Sequence, residues 1–132
     1  MSRPTHLFIG GELSTPDITA TIEAAFGATF TVPEDDTPHL IHGNADIYAG
    51  THDFDDDDLR WPDGTTIALR SEYPHHLEVR DTTRDHAHQQ ELARRAFETL
   101  KATGRGKLLY VDNLQHILDS YDPTHPVDQQ TR

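Results

Sequence analysis

The chain has 132 residues and carries 23 acidic against 11 basic side chains, a formal charge of −12. Its length fits one domain able to bury roughly two-thirds of its unfolded surface, but hydrophobic residues make up only 34% and mean hydropathy is −0.70, so the core must be lean. The absence of cysteine excludes disulfides, thiolate metal sites and cysteine nucleophiles, the acidity argues against nucleic-acid binding, and no apolar run approaches the ~18 residues of a membrane span.

Met1 to His6 lack the apolar run of a secretion signal, so a cytoplasmic setting is expected. His6 to Ile9 read as a first strand, stopped by Gly10-Gly11. Thr15 is the expected N-cap, with Pro16 as the first helical residue and Asp17 suited to the positive helix end. Ile18, Ile22, Ala25 and Phe26 share one face of a helix over about 16–26, closed by Gly27. Thr29 to Val32 and Asp46 to Gly50 read as the next two strands. Thr65 to Arg70 and His76 to Arg80 both alternate, which predicts a hairpin with Ile67, Leu69, Leu77 and Val79 facing the core. A turn at Trp61-Pro62-Asp63-Gly64 precedes it.

The clearest pattern is a helix over about 86–103, with Leu92, Ala93, Ala96, Phe97 and Leu100 as its apolar stripe and Gly104 beyond its end. Leu108 to Val111 then read as a buried strand, and Asp112 as the cap of a short C-terminal helix bearing Leu114, Ile117, Leu118 and Tyr121. Residues 1–121 are expected to form a single globular domain and 122–132 a flexible tail. The class expected is α+β: a mostly antiparallel sheet of five or six strands, with the two main helices on one face.

Charge is concentrated. Residues 34–63 hold ten carboxylates against the single Arg60, a net of −9 in 30 residues. Neighbouring charges ~6 Å apart repel by about 0.7 kcal/mol even in water, so the run Asp53-Phe54-Asp55-Asp56-Asp57-Asp58 belongs in a solvated loop. It is no EF-hand: with Asp53, Asp55 and Asp57 at loop positions 1, 3 and 5, Asp58 stands where glycine is required and Gly64 where a bidentate glutamate should close the site.

Ten histidines are present, without an H-E-x-x-H pair, and His39 and His42 with His52 and Asp53 form the one group suggestive of a metal. None of the four serines lies in a G-x-S-x-G elbow, and Gly10-Gly11 match no phosphate-binding loop. No catalytic residue, metal ligand or cofactor is therefore assigned. The carboxylate field is expected to raise some histidine pKa values, so that charge-driven binding weakens on acidification. Arg94, Arg95, Lys101, Arg105 and Lys107 are expected to pair with Glu91, Glu98 or the acidic loop rather than form a basic patch.

What this pattern favours is a binding protein with an acidic face. Asp53, Asp55, Asp56, Asp57, Asp58 and Asp63 would steer a basic partner, Asp35 and Asp36 would extend the face, and Phe54 and Trp61 would anchor the complex. For Trp61 the competing role is packing beneath the loop. In size, acidity and lack of cysteine the chain resembles immunity proteins that neutralise bacterial toxins, and Arg outnumbers Lys nine to two, as in GC-rich bacterial genomes. Many such toxins are nucleases with basic clefts, so the resemblance implies an inhibitor that occupies the nucleic-acid path; it extends to no motif and transfers no residue. The alternatives are a metal-binding protein or enzyme using His and Asp ligands, and a structural or regulatory subunit of a homo-oligomer.

Overall fold

The computed structural model describes residues 4–32, 37–112 and 116–123. The elements, in chain order, are β1 (Thr5–Gly11), α1 (Thr15–Phe26), β2 (His39–His42), β3 (Ala45–Thr51), α2 (Leu69–Glu72), β4 (His75–Asp81), α3 (His86–Lys101), β5 (Gly106–Asp112) and β6 (His116–Tyr121). The six strands form one antiparallel sheet in the order β2-β3-β4-β1-β5-β6. This is the expected α+β class.

Alternation along each strand sorts the side chains onto two faces. Leu7, Ile9, Ile47, Leu77, Val79 and Leu108 point to the face covered by α1 and α3, where they meet Ile18, Ile22, Leu92, Phe97 and Leu100 in the larger core. Phe8, Leu109 and Val111 point the other way, into a smaller core capped by Leu59, Ile67, Leu69 and Tyr73 from the chain between β3 and β4.

The helix termini obey local chemistry. Ser14, one residue before the expected Thr15, caps α1: its Oγ accepts from Asp17 N–H while the Asp17 carboxylate accepts from Ser14 N–H, a capping box. Gly27 closes that helix at φ 65°, a left-handed conformation that glycine adopts without penalty. Asp85 caps α3 by accepting from His88 N–H. A buried polar chain docks the start of α3 on the sheet: Asp81 N–H donates to Gln89 Oε1 (2.9 Å), and Gln89 Nε2 donates to Thr5 Oγ1 (3.0 Å).

Three expected elements differ. The segment Thr65 to Arg70 is no strand: Thr66 only bridges Arg60, and the chain then reverses at Ala68 (φ −76°, ψ 73°), where Leu69 N–H donates to Ile67 O. That inverse γ-turn starts α2, so Ile67 and Leu69 enter the smaller core rather than a hairpin with β4. Thr29 to Val32 make a single bridge, Thr31 with His39, along the edge of β2. The expected C-terminal helix is β6, because pairing beside β5 satisfies that strand's outer backbone groups; a short apolar pattern does not separate the two outcomes. Leu114 and the tail from 124 onward lie outside the described residues. Among the described residues no helix is long and apolar enough to cross a membrane.

Candidate functional site

The sheet face opposite α1 and α3 is divided. Over β1 and β5 it is sealed by the apolar cap; over β3 and β4 it is an open polar shelf. The acidic run crosses the boundary. Leu59 is buried beneath it, while Asp53, Asp55, Asp56, Asp57, Asp58 and Asp63 are exposed. The loop is pinned in place. Asp56 accepts from Ser71 N–H (2.9 Å) and from the Ser71 hydroxyl, bonds that hold its carboxyl below the usual carboxylate range. Asp58 accepts from Asp55 N–H (2.7 Å), and Arg70 donates to Asp53 O (3.1 Å) while pairing with Asp55 (2.9 Å). Asp55, Asp57 and Asp58 converge within 4.8 Å, all exposed.

The two aromatic anchors part company. Phe54 turns inward, edge-on to Phe8 (5.5 Å), His6 (6.1 Å) and His76 (6.2 Å). Trp61 is half-buried against the smaller core and lines a groove of about 370 Å³ with Pro62, Asp63, Ile117, Leu118 and Asp119. Leu118, 44% exposed, extends this apolar surface to solvent. Sequence reasoning missed Leu118 as an anchor, because a C-terminal helix would have given it a different neighbourhood. Asp35 and Asp36 lie outside the described residues.

The histidines grouped by sequence do not meet. His39 stacks on Tyr48 (4.5 Å), near Asp46, whereas His42 lies edge-on to Phe26 (5.1 Å) under α1. Three positions apart on β2, they fall on opposite faces of the sheet. His52 uses both ring nitrogens, Nε2 donating to Tyr73 O (2.6 Å) and Nδ1 accepting from Phe54 N–H (3.1 Å).

A different group assembles on the shelf. His6 from β1 stacks with His76 from β4 (4.9 Å), their Nδ1 and Nε2 atoms 2.7 Å apart. Glu78 sits directly across from His6 in the register, its Oε2 paired with Arg80 at 3.0 Å. A cleft of about 610 Å³ opens beside them, lined by Tyr48, Gly50, Thr51, His76, Glu78 and Arg80. The alternation His76-Leu77-Glu78-Val79-Arg80 already implies that the three polar residues share a face; that His6 joins them follows only from pairing of β1 with β4.

The histidines divide: the expected rise occurs at His88, while burial lowers three others. Burial lowers His76 to about 3 and also lowers His6 and His75. His88 follows the expected direction: its hydrogen bond to Asp81 raises it. Of the pairings expected around α3, Arg94 with Glu98 (3.4 Å) is present; the other acids met are Asp119 by Arg94 (2.7 Å), Asp17 by Arg105 (3.3 Å) and Glu72 by Lys107. Arg95 donates to Ala25 O and lies over Phe26, and Lys101 lies over Tyr121.

Comparison with protein-family models, with curated proteins and with solved structures finds no match to this chain.

Proposed function

We propose that this chain is a small acidic binding protein that acts in the cytoplasm by occupying a basic partner, in the manner of an immunity protein neutralising a toxin such as a nuclease. The observation that carries the reading is a pinned acidic loop on the same chain segment as Trp61 and Asp63, which line an apolar groove. Asp53, Asp55 and Asp57 project to solvent from a backbone held by Asp56, Ser71 and Arg70, and Asp63 of the same segment lines the Trp61–Leu118 groove. Concentrated charge of one sign speeds encounter with an oppositely charged surface, and a desolvated aromatic and aliphatic patch then holds the complex. A pinned loop loses little conformational freedom on binding, which leaves more of the contact energy as affinity. Trp61 and Leu118 are the anchors in this reading, with Phe54 supporting the loop from below. No residue is given a catalytic role.

The test uses the immobilised chain to capture partners from a bacterial lysate at low salt, with Asp53→Asn/Asp55→Asn/Asp57→Asn as control. Asp56 is left intact because its bonds from Ser71 hold the loop; the Asp55–Arg70 ion pair is lost in this variant, while Arg70 keeps its bond to the Asp53 backbone carbonyl. A single basic protein retained at a 1:1 ratio should associate several-fold more slowly with the triple variant at low salt, and the gap should narrow at high salt. Equal association rates for the two proteins would end the steering argument.

A further inference from the structure

We infer that His6, His76 and Glu78 form a binding site for a first-row divalent transition-metal ion where the open shelf of the sheet meets the cap, with His6 buried and His76 and Glu78 half-buried. Each residue offers one ligand atom, and these atoms lie within 4.8 Å of one another. They come from adjacent strands whose register sets His6 opposite Glu78 and Phe8 opposite His76, so the donors stand on a hydrogen-bonded framework rather than a loop. This inference does not depend on the partner reading above.

The donor set is chemically selective. Two imidazoles and a carboxylate suit zinc, iron, nickel or cobalt, whereas calcium and magnesium favour all-oxygen cages. Three protein ligands leave further coordination positions free, and His76 and Glu78 line the cleft into which these would open. The surroundings also fit. Phe8 stacks on His76 (5.0 Å) and Phe54 stands edge-on to both rings, giving the ion an apolar wall. Arg80 orients the Glu78 carboxylate through Oε2, the kind of outer contact that ligating carboxylates carry.

The side chains stand one small movement from a chelating geometry. His6 Nδ1 and His76 Nε2 face each other at 2.7 Å and share a single proton. Two nitrogens bound at ~2.05 Å with a tetrahedral angle stand about 3.3 Å apart, so the rings must separate by roughly 0.6 Å. The shared proton moves to the far nitrogen of the ring that carries it, so both rings stay neutral and both lone pairs meet the ion.

Calorimetric titration of the full chain with Zn²⁺, and with Co²⁺ for its visible spectrum, tests the assignment. One ion per chain should bind and raise the melting midpoint. Glu78→Gln and His76→Asn should each weaken binding by no less than the roughly tenfold that loss of an outer-shell partner costs. His86→Asn, an exposed histidine on α3, should leave affinity unchanged. Long-range ¹H–¹⁵N spectra of the wild-type chain need no variant: the ring signals of His6 and His76 should shift on zinc addition and saturate at one equivalent. Absence of stoichiometric binding would overturn the site. So would affinity retained by both ligand variants, or shifts confined to other histidines.

Discussion

At Gly10 the cap over the smaller core lies against the backbone of the sheet, and replacing it with alanine tests how the acidic loop is positioned. A Cβ at Gly10 would fall well inside contact distance of the Glu72 carbonyl oxygen, 2.9 Å from Glu72 C and 3.2 Å from Tyr73 Cα. All three atoms are backbone, so no side chain can rotate away. Relief requires lifting α2, which unseats buried Leu69 and Tyr73 and breaks the bond from His52 Nε2 to Tyr73 O. Overpacking costs about 1–3 kcal/mol, and the upper end applies here because the displaced helix carries core residues with it. At about 3–4 °C per kcal/mol for a chain of this size, Gly10→Ala should melt roughly 6–12 °C below wild type.

Gly50→Ala is the matched control. Gly50 faces the open cleft with no heavy atom within 4 Å of the added carbon, so that variant should be neutral or gain up to about 1 kcal/mol through the unfolded state. Melts followed by circular dichroism and by Trp61 fluorescence would compare the two. Equal midpoints for Gly10→Ala and Gly50→Ala would refute the close approach of α2 to β1.

Ser14→Ala removes one half of the capping box at α1 and should cost about 1 kcal/mol in urea unfolding. Leu59→Ala empties a buried position under the acidic run; it should cost about 2–5 kcal/mol and hasten amide exchange between residues 53 and 66. Asp81→Asn should destabilise in a pH-dependent way, because Asp81 accepts from the Thr83 backbone and hydroxyl and pairs with His88. Those bonds hold the Asp81 carboxyl well below the carboxylate range, so its contribution is present above about pH 3.9 and is lost as pH falls through the lower folded value. His88 is raised, so its contribution is complete below about pH 6.5 and is lost as pH rises through its folded value. Urea midpoints should therefore differ more between wild type and Asp81→Asn at pH 5 than at pH 9, and equal gaps would contradict the pairing.

Periodicity and caps made α1 and α3 legible, since Ile18, Ile22 and Phe26 recur on one helix face and Leu92, Ala96 and Leu100 on the other's. The alternation of β4 was equally plain. The short apolar clusters were not. Ile67 and Leu69 satisfy a strand template, yet the inverse γ-turn at Ala68 places both in the core from a bend and a helical turn. Ile117, Leu118 and Tyr121 fit a helix template, yet they sit on a strand because β5 offers a partner for its backbone. Windows of four to six residues carry too little period to distinguish these cases.

The candidate site divides along the same line. The sequence by itself determined that the middle of the chain is acidic and must be solvated, because mutual repulsion among Asp55 to Asp58 acts whatever the fold. It also determined that His76, Glu78 and Arg80 share a face, because a strand alternates with period two. Only the tertiary structure decided that Phe54 turns inward while Trp61 and Leu118 border one groove, and that His6 meets His76. These contacts join positions as much as 70 residues apart. Which strands become neighbours depends on how the two cores are divided between the faces of the sheet, and that division follows from burial across the whole chain rather than from any local window.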